Sequence, residues 1–223
     1  MWGIYLHNLL DSFPFFLKGL WVTIQISALS LFMSTVCGFF LGIIRSTRTR
    51  SINIVLAAYV DIIRGTPFLV QIFIVFFILP EWGIQLDAFT SAVLSLTIYG
   101  TAYICEIVSG GIQTIPRGQT EAAVSSGLTW PQQMRYVIVP QALRPILPPL
   151  VGQYVLMIKD TAVVSVIGLT DVTRVGWFTV QRIPEGILVF GLVGILYFLI
   201  CYPLVWFSNR LETMLSTEKS GLG

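Results

Sequence analysis

EAAVSSGLTWPQQMRYVIVP, residues 121–140, is a polar stretch between two long apolar runs. The run before it covers about 88–112, and the run after it covers about 141–167. Because the flanking runs are apolar enough for a membrane, a polar insertion between them is exposed to water, where another molecule can bind it. The remaining sequence is therefore interpreted as the membrane body that this insertion moves.

Several residues of the insertion and of the segment just before it are typical of helix starts or helix ends. Pro116 suits a helix start, and Gly127 suits the C′ position just after a helix. Thr129 and Gln132 have the spacing of a capping box that opens a second short helix. Pro140 is unfavourable inside a helix, which predicts a break before the chain re-enters the membrane. The same pattern is compatible with an ordinary connecting loop of two amphipathic helices on the membrane surface.

The composition indicates a membrane protein. Of the 223 residues, 55% are hydrophobic and 11% are charged, and the mean hydropathy is +0.83. Soluble domains carry about a quarter charged residues. The net charge of +2, without a run of Lys or Arg, gives no indication of a nucleic-acid partner.

Cysteine and histidine usage argues against metal or disulfide chemistry. The three cysteines, Cys37, Cys105 and Cys201, each lie inside an apolar run and are interpreted as small buried hydrophobic residues. His7 is the one histidine, so a histidine cluster is excluded. We expect no metal site and no catalytic residue in this chain.

Hydrophobic run lengths predict an all-α, polytopic membrane protein with about five transmembrane helices in a single domain, residues 1–223. A span needs about 20 apolar residues. The predicted spans cover about 16–44, 52–79, 88–112, 141–167 and 186–207. We expect residues 1–15 to be an interfacial segment, residues 171–185 a polar loop and the residues after 207 a polar tail.

The distribution of basic residues orients these spans. One set of loops contains most of the cations: Arg45, Arg48, Arg50, Arg117, Arg135, Arg144, Arg210 and Lys219. The other set contains Lys18, Arg174 and Arg182 among several carboxylates. The positive-inside rule then predicts the N-terminus outside and the C-terminus in the cytoplasm. The segment 116–140 falls on the cytoplasmic side.

With Glu121, Ala122, Ala123, Gly127 and Pro140 in this order, the insertion resembles the EAA loop of ATP-binding-cassette importer permeases. Motifs along the chain extend the resemblance over about residues 18–210, to the polar amino-acid uptake branch of that family. These motifs are RGTPFLVQ (64–71), YICE (103–106), GGI (110–112), PQA (140–142) and KDT (159–161). The chain departs from the pattern at Ser109, where Arg is common, and at Ser125 and Ser126.

This resemblance implies a type I importer permease. Such a subunit works with a second permease, identical or paralogous, two cytoplasmic ATPase subunits and an extracytoplasmic amino-acid-binding protein. It implies alternating-access transport of a polar amino acid across a bacterial cytoplasmic (inner) membrane. The sequence contains no GxxxxGK[ST] motif, so we expect ATP and Mg to bind the partner subunits and this chain not to be an enzyme.

Ionisable residues inside spans are expensive and are interpreted as paired or functional. Asp61 and Arg64 lie three residues apart on one helical face and could pair with each other. Glu106 follows Tyr99 and Tyr103 on one face, and we expect its partner on the fourth run or on the insertion.

A set of polar residues forms the candidate substrate pathway: Arg64, Thr66, Tyr103, Lys159, Asp160 and Thr161. Asp160 could bind the ammonium group of an amino acid, Thr161 could supply a hydroxyl and Arg64 could bind the carboxylate. Lys159 and Asp160 point about 100° apart, so they cannot face each other. Which amino acid is carried stays open.

Two other function classes are compatible with an apolar, helical chain. A self-sufficient channel or secondary carrier would need dimerisation or an internal repeat, and the sequence has no convincing repeat. A membrane enzyme using Glu106 or Asp160 as acid or base lacks a nucleophile–base pair. Neighbouring genes for an ATPase and a secreted binding protein would separate a transport subunit from both.

Overall fold

The structure is a computed structural model that describes residues 2–47, 50–183 and 185–220, and it contains no β-strand in those ranges. The α-helices are α1 (Trp2–Arg45), α2 (Arg50–Gly65), α3 (Phe68–Phe73), α4 (Ala88–Gln113), α5 (Arg117–Ser125), α6 (Trp130–Gln133), α7 (Val139–Asp160), α8 (Val172–Val180) and α9 (Gly186–Ser220). Two π-helical turns, Ile74–Ile78 and Met134–Ile138, and two 3₁₀ segments, Leu79–Trp82 and Thr161–Ile167, complete the elements. The all-α prediction is confirmed.

Four helical stretches are long and apolar enough to cross a membrane: His7–Arg45, Ala88–Gln113, Trp130–Ile167 and Gly186–Leu215. A fifth is obtained when Arg50–Gly65 and Phe68–Trp82 count as one broken span. The break lies at Thr66 and Pro67, as the sequence predicts. Arg48, one of the cations used to orient the spans, lies outside the described residues.

Helices occur in the three segments predicted as an interfacial segment, a polar loop and a polar tail, and only the loop prediction is contradicted. Residues 2–15 of the predicted interfacial segment belong to α1, which continues through Pro14. The predicted loop 171–185 contains α8, capped by the Asp171 side chain. The predicted polar tail continues α9 as far as Ser220, because no glycine follows Gly194 before residue 221 and no proline follows Pro203. The loop prediction rested on the polarity of residues 171–185, and polar residues alone do not end a helix.

The predicted break at Pro140 is also wrong. Helix α6 continues through the π turn Met134–Ile138 into α7, so Pro140, in the first turn of α7, lies inside a continuous helical stretch that begins at Trp130. In a regular α-helix, the Pro140 ring would clash with the carbonyl of Tyr136, four residues earlier. A π turn widens the helix locally, and a second one, Ile74–Ile78, precedes Pro80 in the same register.

The chain divides into two compact units. The first unit comprises residues 1–32, 66–97 and 155–203. Its apolar core is formed by Leu9, Phe16, Val172, Val175, Ile183, Val189, Val193 and Leu196. Glycines allow close approach here: a Cβ on Gly19 would lie 2.9 Å from the Asp171 carbonyl oxygen, and one on Gly176 would lie 2.7 Å from Val193. The α1 backbone at Gly19 therefore lies directly against the start of α8, and the α8 backbone at Gly176 lies directly against the Val193 side chain of α9.

The second unit comprises residues 33–65, 98–154 and 204–223. Its main core is formed by Ile104, Val108, Ile112, Ile138, Ala142, Ile146 and Leu150. Gly38 and Gly42 of α1 contact α4 so closely that an added Cβ would lie 2.7 Å from Ile104 and 2.6 Å from Val108. This packing fixes α4 against α1 within the unit.

Candidate functional site

The first arm of the segment 116–140, called the 116–140 hairpin below, ends in a glycine motif. Helix α5 starts after Pro116, and Gly127 follows it with φ of +77°. The Leu128 amide donates to the Ala123 carbonyl at 3.1 Å, and the Gly127 amide donates to the Val124 carbonyl at 2.9 Å. These two bonds form a Schellman motif, which satisfies carbonyls that a helix end leaves free. The predicted helix end is confirmed.

The second arm opens with the predicted capping box. The Thr129 amide donates to Gln132 Oε1 at 2.9 Å, and the Thr129 hydroxyl donates to the same oxygen. Gln133, which is buried, donates its side-chain amide to the Leu128 carbonyl at 2.6 Å. The turn between the arms is thus held by backbone bonds on its first side and by side-chain bonds on its second.

A side-chain bond and a buried alanine join the two arms. Gln141 Nε2, just past Pro140, donates to Gln119 Oε1 on α5 at 3.2 Å. Ala123 is only 4% exposed, so it supports the hairpin from inside, whereas Glu121 and Ala122 are exposed. The two alanines therefore differ in role: Ala123 packs inside the hairpin, and Ala122 lies on its surface.

The outer surface of the 116–140 hairpin is partly apolar. Val124 is 58% exposed, Trp130 is 40% exposed and Tyr136 is 63% exposed. The Arg135 guanidinium lies 5.6 Å from the Tyr136 ring centroid, a cation–π distance. Exposed aromatic and aliphatic side chains with polar neighbours are typical of protein-binding surfaces.

A cluster of charges occupies another part of the second unit. Arg45 Nη1 donates to Glu106 Oε2, and Arg64 Nη1 lies 3.6 Å from Glu106 Oε1. The Arg64 guanidinium also lies 5.6 Å from the ring centroid of Tyr103, which packs on Tyr99 with centroids 4.7 Å apart. Tyr99 and Tyr103, predicted to lie on one helical face, thus contact each other, and Arg64 lies against Tyr103.

Two expected pairings are corrected by this cluster. Within the ranges that the structure describes, Arg64 forms its ion pair with Glu106 and not with Asp61, which is exposed. Glu106 takes its partners from the ends of α1 and α2, and not from the fourth run or the 116–140 hairpin. Spacing along one helix could not reveal this, because both partners lie more than forty residues away in sequence.

The other pathway candidates lie in the first unit. Gln71 Nε2 donates to the Thr66 carbonyl at 3.1 Å and to its hydroxyl at 3.0 Å, so Thr66 closes the helix break. Asp160 is half-buried at the start of the 3₁₀ segment, and Lys159 is exposed. Thr161 is 0% exposed. Arg64 and Tyr103 thus come together in one unit, whereas the remaining four belong to the other.

Sequence reasoning missed a buried hydrogen-bond network in the first unit, called the Asp171 network below. Asp171, also 0% exposed, accepts from the backbone amides of Thr173 at 3.1 Å and Arg174 at 3.0 Å. The Tyr197 hydroxyl donates to Asp171 Oδ2 at 3.4 Å and lies 3.1 Å from the Thr173 hydroxyl and 3.4 Å from that of Thr161. Burial raises the pKa of the Asp171 carboxyl, and the hydrogen bonds from Arg174 and Thr173 oppose that effect. An Asp directly before an apolar helix is an N-cap signal that could have revealed the helix, though not the burial.

Comparison with known proteins identifies the family of this chain. Residues 34–216 match the family model described as the binding-protein-dependent transport system inner membrane component. The chain belongs to this family. It is a multi-pass membrane permease subunit of the amino-acid branch of ATP-binding-cassette importers, a family that works with an ATPase and a binding protein, and such subunits are not themselves enzymes.

Curated relatives cover almost the whole chain. A probable glutamine ABC transporter permease protein, GlnP, of Bacillus subtilis is 34% identical over 91% of this chain and 94% of that protein. The glutamine transport system permease protein GlnP of Escherichia coli K12 is 35% identical over 90% of this chain and 93% of that protein. The arginine transport system permease protein ArtQ of Bacillus subtilis is 31% identical over 94% of this chain.

Solved structures confirm the type I importer permease fold. The crystal structure of an amino acid ABC transporter with histidines matches with a TM-score of 0.83 and 33% identity, over 92% of this chain and 96% of that chain. The inward-facing MetNI methionine ABC transporter matches with a TM-score of 0.78 at 21% identity, over 91% of this chain and 97% of that chain, which bears on the fold alone.

Proposed function

We propose that this permease moves a polar amino acid, delivered by an extracytoplasmic binding protein, into the cytoplasm of a bacterium by alternating access across the inner membrane. The relatives carry glutamine or arginine by name, and that shared chemistry of an α-amino acid with a polar side chain supports the substrate class. A second permease, identical or paralogous, and two ATPase subunits complete the proposed importer.

The exposed surface of the 116–140 hairpin is the observation that carries this proposal. Its two arms are fixed by a Schellman motif and a capping box, so the surface is preorganised for a partner. Glu121 supplies a charge at the surface, and Val124 and Trp130 supply apolar area. A rigid, partly apolar surface suits docking to an ATPase, since little ordering entropy is lost on binding.

The proposed ATPase subunits supply the energy. They bind ATP and Mg, and this chain contributes the surface through which their cycle moves the membrane helices. Glu121, Ala122, Ala123, Gly127 and Pro140 form the proposed coupling set. In the membrane body, Arg64, Thr66, Tyr103, Lys159, Asp160 and Thr161 are the proposed substrate-pathway residues, and Asp160 is proposed to bind the substrate ammonium.

The experiment is reconstitution of the permease with its ATPase and binding protein in liposomes. Uptake of labelled glutamine and of labelled arginine is measured together with ATP hydrolysis inside the same vesicles. We expect ATP-dependent uptake of at least one of them, and Asp160→Asn should lower that uptake while the complex still assembles. Uptake without ATP or ATPase would instead indicate a self-sufficient carrier.

Glu121→Lys tests the hairpin as the ATPase contact. We expect the ATPase to dissociate or to lose its stimulation by loaded binding protein, while membrane insertion is unchanged. Glu81→Lys is the matched control, because Glu81 is also an exposed glutamate but belongs to a loop predicted on the other side of the membrane. Normal co-purification and transport for Glu121→Lys would contradict the assignment.

A further inference from the structure

Three helices of the second unit, α1, α2 and α4, meet at a small apolar cluster. Its fully buried members are Val60 of α2 and Ala102 and Cys105 of α4, and Leu41 of α1 packs against them. The Tyr59 hydroxyl of α2 donates to the Ile98 carbonyl of α4 at 2.7 Å. These contacts bring the C-terminal ends of α1 and α2 alongside the middle of α4.

The charges of Arg45, Arg64 and Glu106, called the Glu106 cluster, lie directly beside this junction. Arg45 is in the last turn of α1, and Arg64 is in the last turn of α2. Each oxygen of the Glu106 carboxylate faces a different guanidinium. One side chain of α4 therefore binds the ends of two other helices.

Electrostatics explains why a carboxylate is needed at this position. Cations are favoured at helix C-termini, so both arginines suit their own helices. Two guanidinium groups brought to one place repel each other unless an anion lies between them. The Arg45 side chain is 19% exposed, and the Arg64 and Glu106 side chains are 43% and 40% exposed. The charge of Glu106, more than its shape, then keeps the two helix ends together.

Helix α4 is also the element that leads into the 116–140 hairpin. Only residues 114–116 separate Gln113, its last residue, from α5. Val108 and Ile112 of α4 pack in one buried core with Ile138 and Ala142, which belong to the second arm and its continuation. A displacement of the hairpin is therefore passed to α4 both through the chain and through a packed interface.

We propose that Glu106 is a positioning residue of the transport cycle, which carries movement of the 116–140 hairpin from α4 to the ends of α1 and α2. The inference rests on the proposed function, because it needs an ATPase acting on that hairpin. The Glu106 cluster is then the point at which three helices move as one body.

The test compares charge variants in the reconstituted importer. Glu106→Gln keeps the size of the side chain and removes its charge, leaving Arg45 and Arg64 without an anion between them. We expect the amount of amino acid moved per ATP hydrolysed to fall about tenfold, within the 5–150-fold range typical of coupling between sites. The yield of assembled complex should stay unchanged, and Glu106→Asp should recover part of the ratio because it restores the charge.

Asp61→Asn is the matched control. It removes one carboxylate from α2, a single helical turn before Arg64, at an exposed position that forms no ion pair within the described part of the chain. Its ratio of amino acid to ATP should equal that of the wild type.

Each other outcome overturns the inference. A Glu106→Gln importer with the wild-type ratio would show that the charge transmits nothing. A lower complex yield with an unchanged ratio would show a purely structural role. An equal fall for Asp61→Asn would show a general effect of charge loss. Failure of the wild-type importer to couple uptake to ATP would instead reject the proposed function itself.

Discussion

The 116–140 hairpin and the Asp171 network are both fixed by polar side chains, but they differ in reach and in exposure. In the hairpin, Gln119 accepts a bond from Gln141, just past the hairpin and 22 residues away, and most side chains are exposed. In the network, the Val172 amide donates to the Thr23 hydroxyl, 149 residues away, and Asp171 is fully buried. The hairpin is an exposed structure held by local contacts, whereas the Asp171 network is buried and joins segments of the first unit that are distant in sequence.

This difference predicts where polar substitutions do most damage. In the hairpin, water can replace a lost hydrogen bond, so each bond contributes little net stability. In the Asp171 network, a lost partner leaves buried donors unsatisfied, and the full desolvation penalty appears. Substitutions in the network should therefore act on stability, and those in the hairpin on coupling to the partner.

Asp171→Ala has the largest expected effect on stability. It removes the N-cap of α8 and leaves the amides of Thr173 and Arg174 and the Tyr197 hydroxyl without their acceptor. We expect the free energy of unfolding to fall by about 2–4 kcal/mol, the sum of a lost cap and unsatisfied buried donors. Chemical unfolding of the purified permease in detergent measures it.

Asp87→Ala is the control for this effect. Asp87 precedes α4 and accepts from the Thr90 amide at 3.3 Å, but it is an exposed cap. Water can bind the freed amide, so a much smaller loss is expected than for Asp171→Ala. Equal losses for the two caps would contradict the contrast between buried and exposed polar contacts.

Tyr197→Phe should have the next largest effect. It keeps the ring in the apolar core and removes one hydroxyl that lies within 3.4 Å of oxygens of Thr161, Thr173 and Asp171. We expect a loss of about 1–2 kcal/mol in the free energy of unfolding, because these buried groups lose a shared partner. A double-mutant cycle with Thr173→Val should show non-additivity, and strictly additive losses would argue against a network.

The same contrast decides how far the sequence could be interpreted. The hairpin was predictable to the residue at Gly127 and Thr129, because glycine turns and capping boxes are local rules. The Asp171 network was not, because nothing in a single sequence shows that Thr23 and Tyr197 lie beside Asp171. The partners of Glu106 were missed for the same reason: a helical period gives the face of one helix but not what covers that face.

Proline positions mark a second limit. Pro67 ends a helix as predicted, whereas Pro80 and Pro140 follow π turns and do not. The sequence rule counts the missing amide donor of proline and the clash of its ring with the preceding turn. A π turn that ends two residues before the proline widens the helix and relieves that clash. The extension of α9 to Ser220 was not predicted, because the residues after 207 are polar although they contain neither glycine nor proline before residue 221.

Gly127→Ala should have a smaller effect on stability and a specific effect on coupling. The φ of +77° is unfavourable for a residue with a Cβ, by about 1 kcal/mol, although no atom lies within 4 Å of the added group. Gly127→Asn is the matched control, because Asn tolerates the left-handed region. We expect Ala to weaken ATPase binding more than Asn does, measured by titration of the ATPase onto the reconstituted permease. The reverse order would show that the left-handed turn is not what the partner requires.

The smallest expected effect is a pH dependence, and it has opposite signs at the two caps. Burial raises the pKa of the Asp171 carboxyl, so above the unfolded value of about 3.9 the folded chain holds more protons than the unfolded chain. The free energy of unfolding then falls as the pH rises from about 4 through the raised pKa. Asn at position 171 keeps an acceptor for the cap and does not titrate, so the stability of the wild type relative to Asp171→Asn should fall over that window.

Hydrogen bonding from Thr90 lowers the pKa of Asp87, so the wild type relative to Asp87→Asn should instead lose stability only as the pH falls below about 4. Unfolding midpoints of the three proteins from pH 3 to pH 7 measure both curves, and parallel curves would show that burial does not separate the two carboxylates.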